Sequence, residues 1–326
     1  MGLGLGLGIW WSTQTSIIPS LLKLLEARAD YFENKICTTA TLEGIAAIRY
    51  TPTLEASSGL RAPSTPSLLG DYPGASAAYS LRNLIDTTTS VVRVRRSSDN
   101  TEQDFTATEI TDGTLTTFTG ANDGFVTVWY DQSGNSNDAG QATAINQPKL
   151  VSSGVVELEN GKPCIIWDNT NDTMQINMSY SGSNLLSIFS VYNKTSPNPS
   201  DDSAYLVFAD ASLNVPDGVL AWRHGVKIGC YRSGAHSISG SIPYDAQVNS
   251  NFIYTSTQVD FYNNSSLIGS KTTSNAIANF DYTFIQIGRT GGNTSFKNQE
   301  LIIYQSDQSS NRTGIETNIN TEYTIY

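Results

Sequence analysis

From residue 91 to residue 304 the chain is a succession of short runs rich in Val, Ile, Thr, Phe and Tyr, punctuated by Gly, Asn, Asp and Ser. The runs are Val91–Val94, Phe125–Tyr130, Pro163–Trp167, Leu186–Tyr192, Tyr205–Phe208, Val219–Trp222, Phe252–Thr257, Phe284–Ile287 and Glu300–Tyr304. Each is too short for a self-sufficient helix and has the β-branched and aromatic content of a strand. Many strands at close spacing predict an antiparallel β-sandwich or barrel with most of the aromatic rings in its core. The pattern changes at the far end. Ser306 or Asp307 suits a helix cap, and Ile315, Ile319 and Tyr323 recur at helical spacing.

The first 67 residues read differently. Met1 to Trp11 alternates glycine with leucine and ends in Trp10–Trp11. It has no positively charged start and no convincing small-residue cleavage site, so a signal peptide is not expected. Gly6 stands where a myristoylation pattern needs Ser or Thr. An extended segment with an apolar edge is expected instead, docked so that the two indoles leave water. Residues 16–49 predict a helix pair. Leu21, Leu25, Ala29, Phe32 and Ile36 line one helix after Ser16 and Pro19, and Thr41 caps a shorter one. Pro52, Pro63 and Pro66 among Ser, Thr and Gly mark a linker. The expected division is residues 1–50 as an anchor, 51–67 as linker, and 68–326 as sandwich with terminal helix.

Composition narrows the function classes. Nineteen Lys and Arg against thirty Asp and Glu give a net charge of −11. A nucleic-acid binder needs a basic stripe, so no nucleic-acid partner is expected. No run approaches the ~18 apolar residues of a spanning helix. Cys37, Cys164 and Cys230 are odd in number and far apart, and only His224 and His236 accompany them, which argues against a disulfide framework or a zinc site.

The block Gly124-Phe125-Val126-Thr127-Val128-Trp129-Tyr130-Asp131-Gln132-Ser133-Gly134-Asn135 reads as a strand running into a turn, with Asp131 and Ser133 placed to accept backbone N–H groups. Arg93, Arg95 and Arg96 fall on a neighbouring strand, with Asp99, Glu102, Asp104 or Asp131 as available partners. Scaffold duty is the leading reading of these polar residues. Asp168-Asn169-Thr170-Asn171-Asp172 has oxygen ligands at calcium-like spacing but lacks the central Gly and closing Glu of a calcium loop. A solvated turn is the default there, with calcium through Asp168, Asn169 and Asp172 as the alternative. Asn193 and Asn293 begin Asn-x-Ser/Thr sequons, unremarked in a chain so rich in these residues.

The stretch Leu69–Asp172 resembles a known family. Ala77-Ala78-Tyr79-Ser80-Leu81-Arg82, the Val92–Asn100 segment, the Trp129-Tyr130-Asp131-Gln132-Ser133-Gly134-Asn135 block and Gln141-Ala142-Thr143 look like the start of the α-L-arabinofuranosidase catalytic domain. That resemblance implies a concanavalin A-like jelly roll. Gly161-Lys162-Pro163 through Asp172 is similar to laminin G-like domains. Gln299–Tyr304 with the following helix, and the Gly-Leu start, are similar to virion proteins of phages infecting flavobacteria and their relatives.

The resemblance also sets a test for catalysis. Retaining glycoside hydrolysis uses two carboxyl groups about 5–5.5 Å apart. In the family the nucleophilic Glu closes a Phe-Asp-Tyr-Gly-Asn-Ala-Glu-like stretch. The counterpart here is Phe208-Ala209-Asp210-Ala211-Ser212-Leu213-Asn214, where Asn214 takes the place of that Glu. An amide is no carboxylate nucleophile. Asp210 is the candidate carboxylate if the chain is an enzyme.

The leading expectation is a non-enzymatic phage virion protein, assembled in the host cytoplasm. Residues 1–49 would hold it to other virion proteins or to copies of itself. Its jelly roll would face outward toward a host glycan, with Trp129, Tyr130, Asp131 and Trp222 as candidate contacts. A glycoside hydrolase and a stand-alone carbohydrate-binding module are the alternatives, and no cofactor is required.

Overall fold

The structure is a computed structural model. It describes residues 67–326 apart from 88, 169, 184, 196–203, 210–218, 224–226, 232–235, 240–242, 244, 273–279 and 289–294. The anchor residues Trp10, Trp11, Leu21, Leu25 and Phe32, the helix pair and nearly all of the linker lie outside the described residues.

The described chain is mainly β and antiparallel throughout, as the spacing of its short runs predicts. One ladder centres on Leu186–Lys194, which pairs on one side with Phe296–Tyr304 and on the other with Gln247–Tyr254. Gln258–Asn263 and Ser266–Thr272 extend it outward. Ala77–Ser80 and Ile165–Trp167 share the far edge of Phe296–Tyr304, end to end. The other ladder runs from Glu102–Thr106 through Ser90–Arg96 to Gly124–Trp129. It continues through Ala139–Gly140, Met174–Ile176, Phe284–Ile287 and Ala204–Ala209. Beyond these lie Val219–Arg223, Lys227–Tyr231 and His236–Ser239. A bridge between Ile166 and Lys149 joins the two ladders at one corner.

The sandwich core is strung on aromatic rings. Tyr79 meets Trp129 at 5.6 Å between centroids, Trp129 meets Trp167 at 6.2 Å, and Trp167 stacks on Phe296 at 4.9 Å. Tyr205 closes the series edge-on to Phe296 at 5.2 Å. Such contacts contribute about 0.5–1.5 kcal/mol each beyond the area they bury.

The first ladder is covered on its outer face too. Ile315, Ile319 and Tyr323 of the helix Arg312–Tyr323 pack on Phe189, Val191, Ile253 and Ile302. Every residue of Leu186–Lys194 is consequently buried, and strict alternation is lost. The helix begins one turn later than Ser306 or Asp307 would place it, with Asn311 at its cap. The Asp307 carboxylate takes the Ser309 N–H at 2.9 Å instead. Beneath the helix the buried Glu300 carboxylate holds Arg82 at 2.8 and 3.0 Å and accepts the Ser80 and Tyr323 hydroxyls. Glu316, also buried, binds Asn251 and Arg312 and accepts Ser265 Oγ at 3.0 Å.

Two short helices, Ala107–Thr111 and Thr114–Thr119, interrupt what the sequence reads as continuous β structure. The first starts at a capping box. Thr106 accepts the Glu109 N–H, and the Glu109 carboxylate reaches back to the Thr106 N–H at 2.8 Å.

Candidate functional site

The second ladder keeps an open outer face. Arg93, Val128, Gly140, Gln175 and Gln286 stand side by side across five strands. Gln175 and Gln286 point away from the core, because Met174, Ile176, Ile285 and Ile287 on either side of them are wholly buried. Around this row lies a cleft of about 560 Å³, within the usual size range of small-molecule sites. Amides dominate its lining: Gln141, Gln147, Gln175, Asn177 and Gln286. Glu102 and Asp138 add two carboxylates, and Thr127 and Thr173 add hydroxyls.

The lining is partly fixed by its own hydrogen bonds. Gln147 is buried, accepts Arg95 Nε at 2.7 Å and donates to the Gln141 carbonyl at 2.9 Å. Gln141 donates to Thr173 at 2.8 Å and accepts the Thr143 N–H at 2.9 Å. A register shift near Arg93 and Val94 turns Thr127 so that its hydroxyl donates to Glu102 Oε2 at 3.2 Å. Gln175 donates to Asn177 at 2.6 Å. The Gln286 amide makes no hydrogen bond among the described residues and stays available. A surface that combines amide donors, amide acceptors and carboxylates suits a ligand whose groups both donate and accept, as a hydroxyl does.

The arginines divide. Arg93 pairs with Asp104 at 2.6 Å and Arg96 with Asp99 at 2.7 Å, both among the partners expected. Hydrogen bonding to Arg93 first, then to the Tyr130 hydroxyl, holds the Asp104 carboxyl below the usual carboxylate range despite some burial. Arg95 takes no carboxylate. It lies buried, bonded to Gln147 and Asn100, with Phe125 4.9 Å from its guanidinium.

The candidate glycan contacts take other places. Trp129 is completely buried between Tyr79 and Trp167, so no ring face is open to a sugar. Tyr130 donates to Asp104 at 2.7 Å, and burial with that carboxylate pushes its phenol up to about 12. Asp131 is a structural clamp. It accepts the N–H groups of Ala78, Ser133 and Asn137 at 2.8–3.0 Å and the Ser133 hydroxyl at 2.7 Å. Trp222 lies in the Val219–Arg223 strand, opposite Ile228, and its side chain falls outside the described residues. Asp210 and Asn214 also fall outside them, as does Asn169.

The remaining candidates are turn and core residues. Asp168 accepts the Thr170, Asn171 and Asp172 N–H groups, and Asp172 returns a carboxylate oxygen to the Asp168 N–H at 2.8 Å. The described residues contain no group of three or more His, Cys, Asp or Glu placed to hold a metal. Asn193 is only 5% exposed, which removes it as a glycan acceptor in the folded protein. Cys164 is a buried free thiol. No helix among the described residues is long and apolar enough to cross a membrane.

Sequence reasoning did not find the amide row. Glutamines scattered over positions 141, 147, 175 and 286 carry no motif, and only strand pairing brings them together. The available signal was local, a lone Gln between apolar neighbours in Met174-Gln175-Ile176 and again in Ile285-Gln286-Ile287.

No family model matches the chain, and no curated protein matches it. Solved structures do. An arabinofuranosidase complexed with arabinofuranosyl-α-1,2-xylobiose superposes with a TM-score of 0.54 at 16% identity, over 75% of this chain and 62% of that one. An α-L-arabinofuranosidase soaked with a cyclic sulfate inhibitor gives 0.53 at 15% identity over the same shares. The chain therefore spans less than two thirds of the length of these enzymes, and what it shares with them is the β-sandwich fold.

Proposed function

We propose that the sandwich is a glycan-binding module whose site is the amide-lined cleft on the open face of the second ladder. The observation that carries this reading is the juxtaposition of Gln175 and Gln286, with the Gln286 amide unengaged among the described residues in a cleft rich in polar groups. Among the described residues lining the cleft there is no aromatic ring, so binding rests on hydrogen bonds. These contribute about 0.5–1.5 kcal/mol each. At about 1 kcal/mol each, four or five of them give a dissociation constant on the order of 0.1–1 mM per site. Such weak sites become useful when many copies act together. That fits the outward-facing domain of a phage virion protein, with residues 1–49 holding it to other subunits or to a second copy. The Gly-Leu segment and Trp10–Trp11 support that part of the reading.

Glycan-array binding by the full chain, repeated with Gln175→Ala/Gln286→Ala, tests the site. Mass spectrometry of purified particles tests the virion assignment. Deletion of residues 2–15 should abolish incorporation into particles and leave the sandwich folded.

A hydrolase is the second reading, favoured by the fold shared with arabinofuranosidases and by Glu102 and Asp138 in the cleft. Asn214, standing where the resemblance expects a nucleophilic Glu, supports a non-enzymatic module instead. Turnover of an aryl arabinofuranoside that disappears in Asp210→Asn would establish the hydrolase.

A further inference from the structure

Three polar side chains meet on two paired strands and a hairpin. Asn193 and Lys297 are direct cross-strand partners on adjacent antiparallel strands. Glu159 comes from the small hairpin of Leu158–Glu159 with Lys162–Pro163. Gln299 ties that hairpin down by donating to the Glu159, Lys162 and Pro163 carbonyls at 3.1–3.2 Å. One Glu159 carboxylate oxygen accepts Asn193 Nδ2 at 2.8 Å, and the other accepts Lys297 Nζ at 2.9 Å. Lys297 also donates to the Leu158 carbonyl at 3.2 Å. Asn193 is nearly wholly buried, and its Oδ1 has no hydrogen-bond partner among the described residues. A primary amine and a carboxamide are thus held on the two oxygens of one carboxylate.

We propose that Lys297 and Asn193 join in an intramolecular isopeptide bond, with Glu159 as the proton carrier. The step balances without oxidant, reductant or cofactor. The Lys297 ammonium passes a proton to Glu159, and the free amine attacks Asn193 Cγ to form the Nζ–Cγ bond. Glu159 passes that proton to Nδ2, which already faces its carboxylate. The Cγ–Nδ2 bond breaks as the carbonyl reforms, and ammonia departs. Glu159 then takes the second proton from Nζ and gives it to the ammonia. Overall, a lysine ammonium and a carboxamide become a secondary amide and an ammonium ion.

Three features favour the step. The strand register supplies proximity that a bimolecular reaction lacks, and well-oriented intramolecular pairs reach effective molarities of about 10⁵–10⁸ M. Lys297 Nζ and Asn193 Nδ2 sit on the two oxygens of one carboxylate, so a single group can carry protons between the two nitrogens. The neighbouring Cys164 does not compete as a nucleophile, because burial pushes its thiol up to about 12 against the pull of Lys297.

Intact mass of the purified full chain under denaturing conditions tests the proposal. The expected mass falls below the sequence mass by one ammonia, and a protease digest yields a branched peptide linking Lys297 to Asn193. Glu159→Gln and Lys297→Arg are expected at their full sequence masses. Unaltered mass in the wild-type chain after prolonged incubation overturns the bond, as does a loss of ammonia with no branched peptide. Should Glu159→Gln fail to fold, the wild-type digest still decides between a covalent link and an ion pair beside an amide.

Discussion

Gln175 and Gln286 stand opposite each other on adjacent antiparallel strands, both turned away from a core that holds their neighbours Met174, Ile176, Ile285 and Ile287. Neither amide supports the core; Gln175 spends its donor on Asn177 at 2.6 Å, and both keep an amide oxygen toward the cleft. Gln286→Ala should change unfolding stability by no more than about 0.5 kcal/mol, the usual range for a surface substitution. A urea denaturation midpoint checks this. A loss well beyond that range would mean the residue is structural.

Asp131 has the opposite character. Its carboxylate satisfies three backbone N–H groups, one of them on the fully buried Ala78. Asp131→Ala should cost about 2–4 kcal/mol, since a buried donor left without an acceptor costs about 1–3 kcal/mol by itself. Denaturant unfolding of the variant reads this directly.

Asp172 makes stability depend on pH. Burial pushes its carboxyl up to about 7; the Asp168 N–H opposes that rise, and the Asp168 charge adds to it. The unfolded carboxyl titrates near about 3.9, so between about 4 and 7 the folded chain holds a proton that the unfolded chain has released. This group therefore favours folding most below about pH 4, and its contribution disappears as pH rises through about 7. Asp172→Asn removes the dependence. The stability of wild type relative to the variant should fall steadily across that window, as followed by unfolding midpoints at stepped pH.

Gly288 adopts a φ of +73°, and a Cβ there would lie 2.5 Å from the Asp172 carbonyl oxygen and 3.0 Å from the Trp167 ring. Gly288→Ala combines left-handed strain with overpacking against backbone and a buried indole. A loss of about 2–4 kcal/mol is expected in thermal or denaturant unfolding.

The β-rich class and the terminal helix were legible because both rest on periodicity. The Ile315, Ile319 and Tyr323 stripe is buried as its spacing implies. The Arg93 and Arg96 ion pairs were legible because their partners lie close in sequence. Arg95 was not, since its place beside Gln147 depends on pairing between distant segments. Gln247–Tyr254 starts five residues before the apolar run at Phe252, because Asn249 and Asn251 are buried beneath other elements despite their polarity. The Gln258–Asn263 and Ser266–Thr272 hairpin escaped notice because its turn uses Asn264 and Ser265 at positive φ without a glycine. The Thr-x-x-Glu signal at Thr106 was present but stood in a threonine-rich stretch. Trp129 and Tyr130 drew attention as aromatic rings suited to sugars. Strand alternation, which buries the first and leaves the second half-exposed, assigns them scaffold duties instead.

The most direct test is titration of the full chain with the neutral oligosaccharides that score on the array, in parallel with Gln175→Ala/Gln286→Ala, by calorimetry or ligand-observed resonance. The account predicts saturable binding on the order of 0.1–1 mM for the wild-type chain. It predicts at least a tenfold loss in the double variant, whose unfolding stability stays near that of the wild type. Equal binding by the two proteins, or no binding by the wild-type chain, would contradict it.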